Sequence, residues 1–209
     1  MSTSTKGKFI TFEGIDGCGK STQVKLLAEY LNQMGKETIQ VREPGGTRVS
    51  EEIRKILLHL DKTDICDRTE SLLMAGSRAQ LTEEVILPNL AAGINVVADR
   101  YSDSTLAYQG GGRNLPLDWL EKVNQFATQN LEPVITFFVD VLPEEAARRA
   151  KNKKDRIEKA GIELQIKVRK MYLYLAGRDQ ERIVVLDGYQ KEFDIRQKVI
   201  NELNRRRIF

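Results

Sequence analysis

Short runs of apolar residues alternate along this chain with longer stretches in which apolar residues recur every three or four positions. The short runs predict buried strands, and the longer pattern predicts helices that have one apolar face. Residues 8–12 form the first run, and the helical face that follows it consists of Val24, Leu27, Ala28 and Leu31. The chain therefore opens with a strand that leads into a helix.

Four further apolar runs, at residues 38–41, 96–98, 134–139 and 183–186, predict four more strands. Helical patterns fill most of the intervals between them. Alternation of strands and helices is typical of a parallel sheet covered on both faces. We therefore expect a three-layer α/β fold with a parallel sheet of about five strands, in a single domain over residues 1–209.

The predicted helices differ in how regular their patterns are. After the second strand, a helix is expected to turn Ile53, Ile56, Leu57 and Leu60 inward. Residues 61–68 are polar and are expected to be irregular. The remaining helical segments are residues 69–92 with an interruption near Pro88, 104–108 broken by the glycines at 110–112, 116–128, a helix beginning at Pro143, 162–176, and a last helix ending near Arg205.

Polar residues cluster where the predicted strands end. They occupy residues 13–21, Arg42–Glu43 and Asp99–Arg100, and Asp140 is a further candidate. Ligands of parallel sheets bind beyond the carboxyl ends of the strands, so we expect these residues to meet in one cleft. An acid at a strand end can also serve only as a helix cap.

A motif with a defined chemical role lies between the first strand and the first helix. The pattern G-x-x-x-x-G-K-[ST], a phosphate-binding P-loop, is matched by Gly14, Ile15, Asp16, Gly17, Cys18, Gly19, Lys20, Ser21 and Thr22. Glycines let the backbone wrap around phosphate oxygens, and the helix N-terminus adds partial positive charge. Lys20 is expected to reach the outer phosphates of a nucleotide, and the Ser21 hydroxyl to bind the accompanying Mg²⁺.

Composition excludes several classes of protein. No run of about 18 apolar residues is present, so no membrane span is expected. Residues 1–8 lack the apolar core of a secretory signal. Cys18 and Cys66 have neither metal-ligand spacing nor the numbers of a disulfide framework. We expect a cytoplasmic protein.

Positive charge is concentrated in one segment. Between Arg148 and Lys159 there are seven Lys or Arg residues and two acids, a balance of +5. Because the whole chain carries +3, the remainder sums to −2. A nucleic-acid-binding face normally spreads its charge more broadly, so we expect this patch to serve a small polyanion rather than nucleic acid. A solvated helix face is the alternative.

Four segments together resemble bacterial thymidylate kinase. They are the P-loop, the loop at residues 42–47 (Arg-Glu-Pro-Gly-Gly-Thr), the run Asp99, Arg100, Tyr101, and residues 107–113 (Ala-Tyr-Gln-Gly-Gly-Gly-Arg). The resemblance extends over nearly the whole chain. It implies a P-loop kinase fold, phosphoryl transfer from ATP to dTMP with Mg²⁺, dimerisation, and a short basic lid at about residues 146–160.

The resemblance also implies roles for individual residues. Asp16 would accept a hydrogen bond from the 3′-hydroxyl of dTMP, and Tyr108 would pack where a ribose 2′-hydroxyl would project. Arg100 and Arg54 would hold the dTMP phosphate, because guanidinium forks match phosphate oxygens. Asp99 would help to hold Mg²⁺ directly or through water. Arg78 would donate to the thymine carbonyl, Thr105 and Gln109 would also face the nucleotide, and Glu43 would belong to the substrate-binding residues.

The chain departs from the family pattern in two places. Met74 stands where the family usually has an aromatic residue that stacks on thymine. Gly17 and Cys18 occupy the part of the P-loop where some members have an arginine. We therefore expect lid residues to supply the catalytic charge beside Lys20 and Arg100, with Arg149 and Arg156 as the leading candidates.

Two other classes remain possible at this point. Residues 152–155 (Asn-Lys-Lys-Asp) match the guanine-binding motif N-K-x-D of a regulatory GTPase, but they follow a charged helical run instead of a buried strand. Arg205, Arg206 and Arg207 suggest nucleic-acid binding, but no groove-binding motif accompanies them.

Overall fold

Five parallel strands form the centre of the protein. The computed structural model describes residues 6–58, 65–149 and 161–209. The strands are β1 (Phe9–Glu13), β2 (Thr38–Arg42), β3 (Asn95–Asp99), β4 (Ile135–Asp140) and β5 (Ile183–Asp187). Their order is β2-β3-β1-β4-β5, and every neighbouring pair is parallel. The predicted five-stranded α/β fold is confirmed.

Helices cover both faces of this sheet. In the described residues they are α1 (Lys20–Gln33), α2 (Arg48–Leu58), α3 (Asp67–Leu81), α4 (Leu87–Ala91), α5 (Ser102–Thr105), α6 (Leu117–Thr128), α7 (Pro143–Arg149), α8 (Ile162–Arg178) and α9 (Glu192–Arg205). Two π-helical segments, Thr82–Ile86 and Leu106–Gly112, follow α3 and α5 directly. Among the described residues, no helix combines the length and apolar character needed to cross a bilayer.

The core lies on both sides of β1. Ile10 and Phe12 belong to one apolar cluster together with Leu27 of α1, whereas Phe9 belongs to a second cluster with Leu90 and Tyr101. All five residues of β1 are buried, as a central strand requires. The predicted inward face of α1 is confirmed, since Val24, Leu27, Ala28 and Leu31 are all buried.

The prediction for α2 was partly wrong. Leu57 is buried and Ile53 is partly covered, but Ile56 is 37% exposed. The reason is that α2 packs mainly on α3 and not on the sheet. A neighbouring helix covers a narrower stripe of the α2 surface than a sheet would. Leu60 lies outside the described residues.

The predicted breaks in the helices were also partly wrong. Asp67 and Arg68 already belong to α3 and are not irregular; residues 61–64 lie outside the described part. Near Pro88 the chain stays helical, because the π-helical segment Thr82–Ile86 absorbs the change in hydrogen bonding before the proline.

The three glycines at 110–112 do not break a helix. They lie inside the π-helical segment Leu106–Gly112, which packs closely against α8. A Cβ at Gly111 would come within 2.5 Å of the Met171 Cβ, and one at Gly112 within 2.8 Å of a Leu164 methyl. Glycine is required here because two helical segments approach closely.

Gly111→Ala should therefore destabilise the fold. A Cβ that meets another Cβ cannot be accommodated by a side-chain rotation, so α8 must shift, at a cost of about 1–3 kcal/mol. Gly177→Ala is the matched control, because Gly177 lies in α8 with open space around it; this change should stabilise the helix by up to about 1 kcal/mol. Urea unfolding measures both, and equal stability of the two variants would contradict the packing argument.

Candidate active site

The P-loop follows β1 in the middle of the sheet. Gly14, Gly17 and Gly19 all have positive φ angles, which ordinary residues rarely adopt. A Cβ at Gly17 would lie 2.3 Å from the carbonyl oxygen of Ala146, so the loop also touches α7 closely. Helix α1 begins at Lys20, and this residue is buried. The predicted strand, glycine-rich turn and helix N-terminus are therefore present in sequence order.

Asp16 is the centre of an ionic cluster. Its carboxylate accepts hydrogen bonds from Arg100 Nη2 at 2.7 Å and from Lys20 Nζ at 3.1 Å. The Tyr108 hydroxyl lies 3.5 Å away. Burial raises the pKa of Asp16, but the charges of Arg100 and Lys20 outweigh it and hold this pKa well below its usual range. Asp16 is therefore an ionised acceptor at neutral pH.

Arg100 occupies a constrained position just after β3. Its φ angle of 75° lies in the left-handed region, which is uncommon for a residue with a side chain. The guanidinium donates to Asp16, to the Tyr108 hydroxyl at 3.0 Å, and from Nη1 to the hydroxyls of Ser104 and Tyr172. The guanidinium carbon also lies 4.8 Å from the centre of the Tyr108 ring. These contacts fix its direction.

Ser21 and Asp99 bring two oxygen ligands together. The Ser21 hydroxyl donates a short hydrogen bond to Asp99 Oδ2. Ser21 is at the start of α1 and Asp99 ends β3, so the P-loop and a neighbouring strand each contribute one oxygen. Hydroxyl and carboxylate oxygens are suitable Mg²⁺ ligands, and Mg²⁺ usually takes only one or two from the protein.

Arg78 and Glu43 form a buried ion pair. Glu43 Oε2 accepts from Arg78 Nη2 at 2.6 Å and from Nε at 2.8 Å. The other Arg78 donors meet the Thr105 hydroxyl, the Asn124 side-chain oxygen and the Tyr101 carbonyl oxygen. All five N–H groups of Arg78 thus have protein acceptors. Burial raises the pKa of Glu43 more than Arg78 lowers it.

One cleft of about 220 Å³ collects most of the predicted site residues. Lys20 lines it, and so do all the residues predicted to bind dTMP or Mg²⁺. These are Asp16, Ser21, Glu43, Arg54, Met74, Arg78, Asp99, Arg100, Thr105, Tyr108 and Gln109. Arg42, Pro44, Leu58 and Ser104 complete the wall. The expected convergence of strand ends on one cleft is thus observed for β1, β2 and β3.

Asp140 and Arg149, two further candidates, do not line this cleft. Asp140 ends β4 but is held by two hydrogen bonds from Arg169, at 2.7 and 2.8 Å. Arg149 donates to Glu145 at 2.5 Å and to the Gly188 carbonyl at 2.8 Å, beside the end of β5. Arg156 and most of the proposed lid, with Lys153 and Lys154, lie outside the described residues.

The sequence reasoning missed a buried polar group beneath Arg100. Glu13 Oε2 accepts hydrogen bonds from Ser104 Oγ at 2.6 Å and from Tyr172 Oη at 2.8 Å, and the two hydroxyl oxygens lie 2.9 Å apart. Burial and the neighbouring Asp103 raise the pKa of Glu13 to about 7, although Arg100 lowers it. The polar Glu13 at the end of an apolar run was a signal for this site, but nothing in the sequence indicated that Tyr172, 159 positions later, would join it.

A phosphate-binding loop at the central strand, with a cleft of arginines and acidic side chains beside it, defines a P-loop α/β nucleotide-binding enzyme. The family model for thymidylate kinase matches residues 12–199. The chain belongs to the thymidylate kinase family, the nucleoside monophosphate kinases that transfer a phosphoryl group from ATP to dTMP.

Individual relatives agree with this assignment over most of their length. A thymidylate kinase of Caldanaerobacter subterraneus subsp. tengcongensis is 49% identical over 196 residues, which cover 93% of this chain and 94% of that protein. One of Thermosipho melanesiensis is 52% identical over 181 residues, covering 86% and 89%. The crystal structure of thymidylate kinase from Ehrlichia chaffeensis superposes with a TM-score of 0.80 at 30% identity, covering 95% of this chain and 99% of that one.

Removing one partner of the buried ion pair should be costly. Arg78→Met leaves the Glu43 carboxylate buried without its cation, which typically costs about 3–5 kcal/mol. The control is Lys25→Met, because Lys25 and Glu29 are exposed and 3.8 Å apart; this change should cost less than about 1 kcal/mol. The free energy of unfolding in urea measures both, and a loss below about 1 kcal/mol in Arg78→Met would mean that Glu43 is neutral in the folded protein.

Proposed function

We propose that the cleft beside the P-loop binds dTMP and that the P-loop binds the phosphates of ATP. One observation carries the proposal: Asp16 is an ionised carboxylate that faces the cleft and accepts hydrogen bonds from both the P-loop lysine and the fixed guanidinium of Arg100, which also faces the cleft. An anionic acceptor substrate needs such a cation beside the phosphates of ATP. Residues 1–209 would work as one kinase domain.

Sugar and phosphate are assigned to opposite partners of this ionic cluster. Asp16 is an acceptor suited to the 3′-hydroxyl, and the buried Tyr108 ring, which lies on the Arg100 guanidinium, is assigned to the position where a 2′-hydroxyl would project. Arg100 and Arg54 are assigned to the phosphate. Arg54 donates to the Pro44 carbonyl at 2.8 Å, which orients its side chain along the cleft wall.

The part of the cleft that we assign to the base is rigid, because the N–H groups of its side chains already donate to protein acceptors. A thymine carbonyl that approached Arg78 would have to share an N–H with a protein acceptor. Thr105 and Gln109 are both almost fully buried, and the Gln109 amide nitrogen donates to Glu70 at 3.0 Å. Glu43 acts on the base through Arg78. Met74 offers a polarisable sulfur to the pyrimidine ring in place of an aromatic face.

Charge neutralisation accounts for the chemistry. Phosphoryl transfer needs positioned reactants and stabilised equatorial oxygens more than a strong base. We assign Mg²⁺ to the oxygens of Ser21 and Asp99, which would hold it, and its charge would offset the repulsion between the phosphates. Lys20 would hold the outer phosphates. Arg149 and Arg156 of the lid, about residues 146–160, would supply the guanidinium that the P-loop lacks, and lid closure would exclude water.

A homodimer in the cytoplasm completes the proposal. Leu72 of α3 is 55% exposed and Phe126 of α6 is 86% exposed, and these two helices pack side by side. Large exposed apolar side chains on neighbouring helices suit a contact with a second copy. Sedimentation equilibrium at micromolar concentration tests this, and a monomer throughout would contradict it.

Substrate preference tests the assignment of the cleft. We expect multiple turnover with ATP and dTMP, and a kcat/KM for dTMP that exceeds that for ribo-TMP and for purine monophosphates by at least about a hundredfold. dUMP should be only modestly poorer, because one methyl group in an apolar contact contributes about 1 kcal/mol. Initial rates over such a panel measure this, and a higher kcat/KM for a purine monophosphate would overturn the assignment.

Substitution of Arg149 tests the lid. If this guanidinium stabilises transition-state charge, Arg149→Met should lower kcat by at least about a hundredfold and leave the KM for dTMP nearly unchanged. Arg148→Met is the control, because Arg148 is exposed and binds the same Glu145; its kcat should stay within about threefold. Arg156→Met should behave like Arg149→Met. The hypothesis is wrong if Arg149→Met and Arg156→Met both retain kcat within about threefold of the parent.

A further inference from the structure

Glu13 supports both the backbone and the side chain of Arg100. On the backbone side, Glu13 Oε1 accepts the N–H of Tyr101 at 2.7 Å, while the N–H of Arg100 itself donates to the Phe12 carbonyl at 2.9 Å. The last two residues of β1 therefore fix the peptide groups on both sides of the Arg100 Cα. That support is needed, since a left-handed residue with a side chain costs on the order of 1–3 kcal/mol.

On the side-chain side, Glu13 acts through two hydroxyl groups. Glu13 Oε2 accepts from Ser104 Oγ at 2.6 Å and from Tyr172 Oη at 2.8 Å. Each hydroxyl has one proton. With both protons directed to Glu13, the hydroxyl lone pairs face Arg100 Nη1, at 3.2 Å for Ser104 and 3.3 Å for Tyr172. The carboxylate thus makes both hydroxyls acceptors for the arginine.

We propose that Glu13 is a positioning residue for phosphoryl transfer, because its carboxylate orients Arg100 through Tyr101 N–H, Ser104 and Tyr172. This inference rests on the proposed binding of the dTMP phosphate by Arg100. Glu13 itself is fully buried beneath the cleft and does not line it. It acts on the substrate only through Arg100.

The buried carboxylate of Glu13 lowers the stability of the folded protein. Burying a carboxylate disfavours its charged form, and the raised pKa of Glu13 reflects this cost. Asp103 on α5 adds repulsion, although Arg182 binds Asp103 with two hydrogen bonds of 2.6 and 3.0 Å. Replacing Glu13 by a neutral residue of the same shape should therefore not destabilise the fold. If the carboxylate positions Arg100, however, the same replacement should lower activity.

Glu13→Gln separates these two roles. The amide has the same shape, but its NH₂ group cannot accept a proton from a donor, so at least one of the three contacts is lost. We expect the variant to fold with stability equal to or above the parent and to lose about tenfold to a hundredfold in kcat/KM for dTMP. The KM for ATP should stay within about twofold. Stability that is kept while activity falls is a result that a merely structural role does not produce.

Tyr172→Phe provides a second variant if the first fails to fold. It removes one hydroxyl between Glu13 and Arg100 and keeps the ring that stacks on Phe138. We expect a smaller loss in the same direction, and the double variant should lose less than the product of the single losses, because both act on Arg100.

Arg100→Met in the same assay distinguishes the inference from the assignment beneath it. If Arg100→Met leaves the kinetics for dTMP intact, the proposed role of Arg100 fails. If Arg100→Met is damaging while Glu13→Gln and Tyr172→Phe both keep kcat/KM for dTMP within about twofold, only the positioning role of Glu13 is overturned.

Discussion

The site depends on how one guanidinium is kept in place among buried charges. Arg100 lies between the ionised Asp16 on its cleft side and the buried Glu13 beneath it, and the Tyr108 ring covers it. Charges removed from water are tolerated only when partners surround them, and those partners then cannot move independently. The order of the strands supplies them, because β1 and β3 are neighbours and end at the same level.

Much of this arrangement could be predicted from the sequence, because its signals are local. The P-loop spacing, the acid and arginine that end β3, and the alternation of strands and helices are each contained in a few consecutive residues. Convergence on one cleft then follows from the geometry of a parallel sheet. The contacts that could not be predicted are long-range ones. Tyr172 reaches Glu13 from α8, and no sequence rule links positions 159 residues apart.

The errors have a similar physical origin. Glycines 110–112 resembled a break because glycine is a poor helix former; the need for close approach to Met171 decided otherwise. Ile56 was placed inward by periodicity alone, but α2 rests on another helix, which covers a narrower stripe than a sheet does. Local propensity gave the elements, and packing between elements decided their details.

The contact between the P-loop and α7 has a consequence for timing. The Gly17 backbone lies directly against the Ala146 carbonyl group, so the phosphate-binding loop is packed against α7, the helix that carries Arg149. Because closely packed groups have no free space between them, a shift of the loop towards α7 requires α7 to move with it. In the proposed mechanism, binding of the phosphate donor at the loop and the position of Arg149 would be coupled directly through this contact.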